Sequence, residues 1–228
     1  MPSNLSKEEL STIIQWDVKN WSKALDFWEK HADIKPDMKV LALGEREGGL
    51  SLYFAKKGCE VVCSDYNPMP DSTQKMHEDK GVSNKISYAK VDMKAIDFED
   101  NSFDLVVFKS VIGALGNKED QLKAIKEIAR VLKPGGKFLF AENAEGSRLH
   151  TYLRKRFIKW GEGWRYIPYK ELEEWKKEFS SGEYAHYGFH ALFGRSERQR
   201  RILSVWDATS NWMTPKKWRY IHFGAFVK

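Results

Sequence analysis

The run LALGEREGG, residues 41–49, sets Gly44 and Gly48 around three charged residues, Glu45, Arg46 and Glu47. Glycine has no Cβ, so it turns the chain sharply and lets a ligand approach the backbone. Loops that cradle a pyrophosphate use glycine in the same way, but carboxylates there repel the ligand, and the G-x-G-x-x-G spacing is absent. Asp65 lies 21 residues past Gly44, at the end of the apolar run CEVVCSD. That is the offset at which an acidic side chain accepts hydrogen bonds from ribose hydroxyls. A turn aspartate is the competing reading, since DYNP is turn-like. Together these residues predict a nucleoside-bearing ligand that has no pyrophosphate.

A ligand carrying positive charge suits Glu45 or Glu47, with Arg46 facing a carboxylate; the competing reading turns all three charges to water. S-adenosylmethionine meets these demands, having a sulfonium and an ammonium beside one carboxylate. Asp92, in KVDM, and Lys109 with Ser110, in VVFKSV, stand at two further places where an apolar run ends.

Such residues need strand ends to hold them, and the pattern provides these. Residues 5–31 read as one helix with an irregular apolar stripe, and KPDMKVLALG as a proline turn into a buried strand that ends at Gly44. A helix is expected over 48–57, strands at CEVVCSD, KISYAKVD, FDLVVFKS and KFLFAEN, and helices over 71–80 and 118–132. Short apolar strands alternating with helices predict a mostly parallel sheet covered on both faces. In such α/β sheets ligands bind beyond the carboxyl ends of the strands, which is where Gly44, Asp65, Asp92, Lys109 and Glu142 fall.

Composition narrows the class. A chain of 228 residues with 42% hydrophobic and 31% charged residues fits one soluble globular domain. No stretch approaches the roughly 18 uninterrupted apolar residues of a membrane span. The N-terminal MPSNLSKEELST lacks the apolar segment of a secretory signal, so the cytoplasm is the expected compartment. Cys59 and Cys63 are the only cysteines, and without a His or Cys cluster they read as buried reduced thiols rather than a metal site. The charge is uneven: residues 143–228 carry 17 Lys and Arg against 9 Asp and Glu, and six of the nine tryptophans. The C-terminal part therefore reads as the surface that meets something anionic.

The run VLALGEREGGLSLYFAKKGCEVVCSD resembles the first two motifs of class I S-adenosylmethionine-dependent methyltransferases of the type 11 kind. ISYAKVDMKAIDFEDNSFDLVVFKSVIGAL and AIKEIARVLKPGGKFLF are similar to the later motifs, in the same order and spacing. The resemblance covers about residues 36–142 and implies the Rossmann-like fold of that family, closed by a late antiparallel strand pair. It also implies that Gly44 and Gly48 line the methionine moiety and that Asp65, with Tyr66 beside it, holds the ribose. Asp92 would accept from the adenine amino group, and Met93 would pack beside the ring. Glu45 and Lys109 complete the cofactor set. The family usually has an acidic residue where Ala42 stands and a further glycine where Arg46 stands, so a neighbour such as Glu45 has to replace the lost acid.

The resemblance divides the chain into a helical cap over 1–35, a cofactor core over 36–142, and a substrate lid with closing strands over 143–228, all one domain. Beyond Glu142, the residues Leu149, Leu153, Phe157 and Trp160 recur at helical spacing and predict an apolar face over the site mouth. Arg154, Arg156 and Arg165 are the candidate contacts to an anionic acceptor. YAHYGFHALFG and WRYIHFGAFVK read as two closing strands, with a helical insertion between them. His186 and His190, four apart, would share a face, but no third ligand makes them a metal site. This part is similar to methyltransferases encoded among surface-polysaccharide genes, which implies a sugar-like or otherwise anionic small acceptor and O-methylation of a hydroxyl. That chemistry benefits from a base, and His150, eight residues past Glu142, is the candidate. The alternative function is an RNA or DNA methyltransferase or binding protein using the basic, aromatic C-terminal part. FKSV stands where adenine and amide N-methyltransferases have Asn/Asp-Pro-Pro-aromatic, which argues against base N-methylation. A third reading is a fold that binds the cofactor and catalyses nothing.

Overall fold

The computed structural model describes residues 5–157 and 163–228. Seven strands form one sheet: β1 (Lys39–Leu43), β2 (Glu60–Asp65), β3 (Ile86–Lys90), β4 (Phe103–Lys109), β5 (Leu132–Asn143), β6 (Ser181–Tyr187) and β7 (Ile221–Val227). Their order is β3-β2-β1-β4-β5-β7-β6. The pairs linking β1 to β5 are parallel, whereas β7 pairs antiparallel with both β5 and β6. The expected α/β Rossmann-like sheet with a late antiparallel pair is the fold observed. The strand order reverses between β1 and β4, and that reversal opens a crevice at the carboxyl edge.

Both faces of the sheet are apolar, so alternate residues of one strand feed two cores. Val40 and Ala42 of β1 join Trp21, Trp28 and Phe54 on one side, while Leu41 and Leu43 join Phe108, Phe140 and Trp175 on the other. The helices are α1 (Lys7–Ile14), α2 (Val18–Ala32), α3 (Gly49–Lys56), α4 (Asp71–Asp79), α5 (Lys118–Val131), α6 (Arg148–Phe157), α7 (Leu172–Lys176) and α8 (Glu197–Ser210). Cys59 and Cys63 are buried free thiols. Among the described residues no helix is long and apolar enough to cross a membrane.

The single helix expected over 5–31 is two. Gln15 and Asp17 take left-handed φ values of 71° and 46° and break it. The break is fixed from far away: the Glu197 carboxylate accepts from the backbone N–H groups of Asp17 (2.8 Å) and Val18 (2.9 Å), capping α2. Asp17 itself is buried beside Tyr220, whose hydroxyl donates to it.

The face that α6 turns inward also differs from expectation. Leu149 and Phe157 are exposed, while His150 and Arg154, one turn apart, are buried. The reason is hydrogen bonding: the backbone carbonyls beneath α6 have to be satisfied, and polar side chains do this where leucines cannot. Arg154 Nη1 donates to the Ala144 carbonyl at 2.6 Å and to that of Glu145 at 3.1 Å, and His150 Nε2 meets the Phe189 carbonyl at 3.1 Å. Trp160, expected to extend the apolar face, lies outside the described residues.

Candidate active site

Turns at the carboxyl ends of β1 to β4 enclose a cavity of about 620 Å³, whose walls include Leu43, Gly44, Arg46, Asp65, Tyr66, Val91, Asp92, Met93, Ser110, Val111, Leu115 and Trp164. Asp65, at the end of β2, and Asp92, just past β3, are both half-buried; each spends one oxygen on a nearby backbone N–H, of Asn67 and Lys94. The same wall carries the buried apolar groups Leu43, Val91 and Met93. Two carboxylates at neighbouring strand exits, beside these apolar groups and the exposed Arg46, suit a nucleoside whose ring lies on the apolar surface and whose hydroxyl and amino groups meet the acids.

The loop over this cavity is held mostly from behind. Gly44 has φ 67°, and a Cβ there would come within 2.4 Å of Val111. Gly48 is buried against α4, not on the cavity wall, and its carbonyl meets His77 Nε2 at 2.9 Å. His77 Nδ1 meets the Tyr88 hydroxyl at 2.8 Å, and Thr73 Oγ1 donates to the Arg46 carbonyl at 2.7 Å. One turn of α4 thus fixes the loop. Nothing in the sequence near His77 marks it, because its partners come from β3 and the β1 turn.

Glu45 is also buried rather than facing the cavity. Its carboxylate accepts from the Ser51 N–H at 2.9 Å, in the first turn of α3, whose own N-cap Gly48 supplies no side chain. A carboxylate there is favoured by the helix dipole, although burial raises its pKa. The acid missing at Ala42 is therefore not replaced from Glu45. Lys109 is likewise off the cavity wall, half-buried with its ammonium 5.7 Å from the centre of the Trp21 ring. Burial lowers its pKa, against the pull of the Glu45 and Glu142 carboxylates.

Ser110, next to Lys109, is a cavity residue that sequence reasoning named only as a strand exit. It takes φ 57°, an uncommon left-handed value for serine. Asn143 Nδ2 donates to its hydroxyl at 2.6 Å. Glu142 fixes the next two residues, its Oε2 accepting from the N–H groups of Val111 (2.8 Å) and Ile112 (3.0 Å). Its Oε1 accepts from Asn143 N–H at 2.7 Å, and burial pushes the pKa up to about 7. This carboxylate is thus a clamp on the β4 turn.

The candidates of the C-terminal part are placed differently. His150 packs among Phe189, Phe193 and Tyr220, and both ring nitrogens are engaged: Ser147 N–H donates to Nδ1 at 3.3 Å, which leaves the Nε2 proton for Phe189. Burial depresses its pKa to about 4. That geometry makes it a structural histidine and gives the expected base no path to the cavity. The Arg154 guanidinium lies 4.1 Å from the centre of the Tyr166 ring, buried. Arg165 forms a two-point ion pair with Glu171, at 2.8 and 2.6 Å. Of the three expected substrate arginines only Arg156 is exposed, over Phe157. Nor do His186 and His190 share a face. His186 Nδ1 lies 2.7 Å from Nδ1 of His222 across the β6–β7 pair, whereas His190 joins Asp207 at 3.1 Å. Among the described residues no three His, Cys, Asp or Glu side chains are grouped to hold a metal ion.

A second cavity, about 890 Å³, opens farther along the same edge, beyond β5 and β6 and before β7. Its walls carry Glu145, Ser147, Arg148, Tyr169, Lys170, Phe189, Lys217 and Trp218. Arg148, Lys170 and Lys217 are exposed cations without an ion-pair partner among the described residues. The excess of positive charge in this part of the sequence was the available signal; which residues carry it into a cavity depends on the fold.

A seven-stranded sheet with this order and a cavity at its switch point define the class I methyltransferase fold. Residues 41–140 match the family model described as "Methyltransferase domain". The chain is 36% identical over 141 residues to a ubiquinone/menaquinone biosynthesis C-methyltransferase UbiE of a Shewanella species, strain W3-18-1, over 57% of this chain and 53% of that protein. It thus spans about half the length of the curated relatives it matches. Among solved structures, phosphoethanolamine N-methyltransferase 2 of Haemonchus contortus in complex with S-adenosyl-L-methionine superposes with a TM-score of 0.64 at 21% identity, over 91% of this chain and 52% of that one. The [4+2]-cyclase SpnF superposes nearly as well, with a TM-score of 0.61 at 16% identity, over 91% of this chain and 80% of that one. The fold alone therefore does not decide the reaction.

Proposed function

We propose that the protein binds S-adenosylmethionine in the cavity at the β1–β4 exits and transfers its methyl group to a hydroxyl of an anionic, ring-bearing small molecule held in the second cavity. The observation that carries this reading is one cavity that brings Asp65 and Asp92, from neighbouring strand exits, together with the apolar Leu43, Val91 and Met93 and the glycine turn at Gly44. When bound, the cofactor supplies an electrophilic methyl group. Asp65 accepts from the ribose hydroxyls, Asp92 from the adenine amino group, and Arg46 faces the carboxylate. Residues 36–142 are the cofactor part and residues 143–228 the acceptor part.

In the second cavity Arg148, Lys170 and Lys217 oppose the negative charge of the acceptor, while Tyr169 and Trp218 offer faces to a sugar or other ring. The hydroxyl proton needs an acceptor as the new C–O bond forms. Glu145, exposed on that cavity's wall, takes the place first given to His150. A C-methylation reading is favoured by the C-methyltransferase activity of the UbiE relatives, and product analysis separates the two.

Calorimetry with S-adenosylmethionine and S-adenosylhomocysteine tests the cofactor site, and no heat from either ligand would overturn the proposal. With labelled cofactor and a panel of phosphorylated sugars and phenols, the expected product carries its methyl on oxygen. Methyl on ring carbon would move the reading to that of the relatives.

A further inference from the structure

The outward face of α8 is unlike the rest of the surface. Arg198, Ile202, Val205 and Thr209 follow one another at helical spacing, with Trp206 beside them. Ile202 and Val205 are each more than half exposed, and Trp212 and Met213, in the turn that follows, are 79% and 68% exposed. The opposite face of the helix holds Ser204 and Asp207, both buried. The turn is built, not loose: Arg219 donates to the carbonyls of Asn211 and Thr214, and Trp212 Nε1 donates to that of Thr209 at 3.0 Å. Large apolar side chains are thus held out in water by a fixed scaffold.

The charges around this stripe have one sign. Arg195, Arg198, Arg201, Lys216 and Lys217 are exposed, and none has an ion-pair partner among the described residues. Of the two acids of the segment, Asp207 is buried, and Glu197, itself exposed, has its carboxylate engaged by backbone N–H groups. Glu197 caps α2, and Asp207 accepts from the N–H groups of Phe189, His190 and Ala191.

We propose that the Ile202–Val205–Trp206 face of α8, with Trp212 and Met213, docks on the surface of an anionic lipid bilayer. A protruding apolar ridge bordered by cations places tryptophan at the headgroup level and arginine against lipid phosphates, as in helices that lie in the interface plane. A second copy of this chain would bring like charges together. Nucleic acid finds rings and cations here, but it would leave the exposed aliphatic Ile202, Val205 and Met213 of the ridge without an apolar partner, which a bilayer supplies. The docking face is separate from both cavities except through Lys217, and it does not depend on the identity of the acceptor.

The test is sedimentation of the full chain with vesicles of phosphatidylcholine alone and of phosphatidylcholine mixed with phosphatidylglycerol, over a salt series. Expected is retention by the anionic vesicles that weakens as salt rises. Arg198→Gln and Arg201→Gln should each weaken it about fivefold. Trp212→Ser with Met213→Ser should weaken it at least about tenfold, with S-adenosylhomocysteine affinity, read by calorimetry, unchanged. Three results overturn the proposal: no retention by anionic vesicles, variants that bind them as the parent does, or a salt-sensitive gel shift with RNA or DNA that Trp212→Ser abolishes. A dimer in light scattering that dissociates on Trp212→Ser would assign the face to a second copy instead.

Discussion

Along one edge of the sheet, the exits of β1 to β4 and the exits of β5 and β6 beside the start of β7 are held by different means. At the first group the chain turns back on itself within a few residues, and the cavity wall is made by Gly44, Asp65, Asp92 and Ser110 from consecutive strand–turn units. At the second group the polar support reaches much farther along the chain than the 29 and 31 residues that separate Gly48 from His77 and Val111 from Glu142 at the first. Asp17 just before α2, Asn20 within it, Asp207 from α8 and Tyr220 before β7 form one buried hydrogen-bonded cluster, with Asn20 Nδ2 2.7 Å from Asp207 and 2.8 Å from the Tyr220 hydroxyl. Local turns and an apolar wall make a site that can be read residue by residue. A polar knot makes one whose parts are meaningless apart.

The sharpest way to break this contrast is at His150. His150→Ala should lower stability by about 3 kcal/mol, because it leaves a buried carbonyl unpaired and a void among three aromatic rings. Thermal unfolding reads this, and S-adenosylhomocysteine affinity should stay within a factor of two or so at a temperature where the fold persists. A stable variant without turnover would restore His150 as the base.

Asp65→Ala probes the other end. Cofactor affinity should fall by about 2 kcal/mol, or roughly thirtyfold, with the melting temperature of the cofactor-free protein unchanged. An unaltered Kd would place the ribose elsewhere.

The knot should also show in pH dependence. Burial raises the Asp17 carboxyl to about 8, so the native state keeps a proton that the unfolded chain has already released. Stability therefore falls as pH rises from about 4 towards 8, by up to roughly 1.4 kcal/mol per unit, and levels off above. Asp17→Asn should remove this slope, measured as the difference in denaturant midpoints against the wild type across that range. Parallel curves would mean that Asp17 is ionised in the native state. His150 and His186, each depressed to about 4, act in the opposite direction, removing stability as pH falls below about 6.5.

The smallest effect is expected at the second cavity. Lys217→Ala should raise KM for an anionic acceptor about fivefold, since an exposed cation contributes about 1 kcal/mol, with kcat and cofactor affinity retained. An unchanged KM would leave Arg148 and Lys170 as the anion contacts to examine.

The same contrast explains what was legible in the sequence. Gly44, Asp65 and Asp92 were recognisable because strand periodicity and a fixed offset mark them as strand exits, Met93 only through the family resemblance, and all four line one cavity. Glu45 was misplaced because a carboxylate in a glycine loop can face a ligand or cap the next helix, and only the bare N-cap at Gly48 decides between them. His150 and Arg154 defeated the apolar-stripe rule because what α6 covers is a set of carbonyls rather than a core. The break in the first helix at Asp17 was invisible, since the group that caps it lies 180 residues away. Lys170 and Lys217 could be seen only as part of an overall positive balance.

The cap that Glu197 places on α2 has a consequence for how the chain matures. During synthesis α2 emerges well before the Glu197 carboxylate that fixes its first residue and the Tyr220 hydroxyl that donates to Asp17, groups that lie 180 and 203 residues beyond Asp17. Domains generally fold as units, and contacts of large sequence separation close late. The N-terminal helices must therefore wait, exposed and with an undefined boundary, until the last strand inserts between β5 and β6. A ribosome-bound chain arrested before residue 197 should be cut by protease near Gln15–Val18, and release of the full chain should protect that bond.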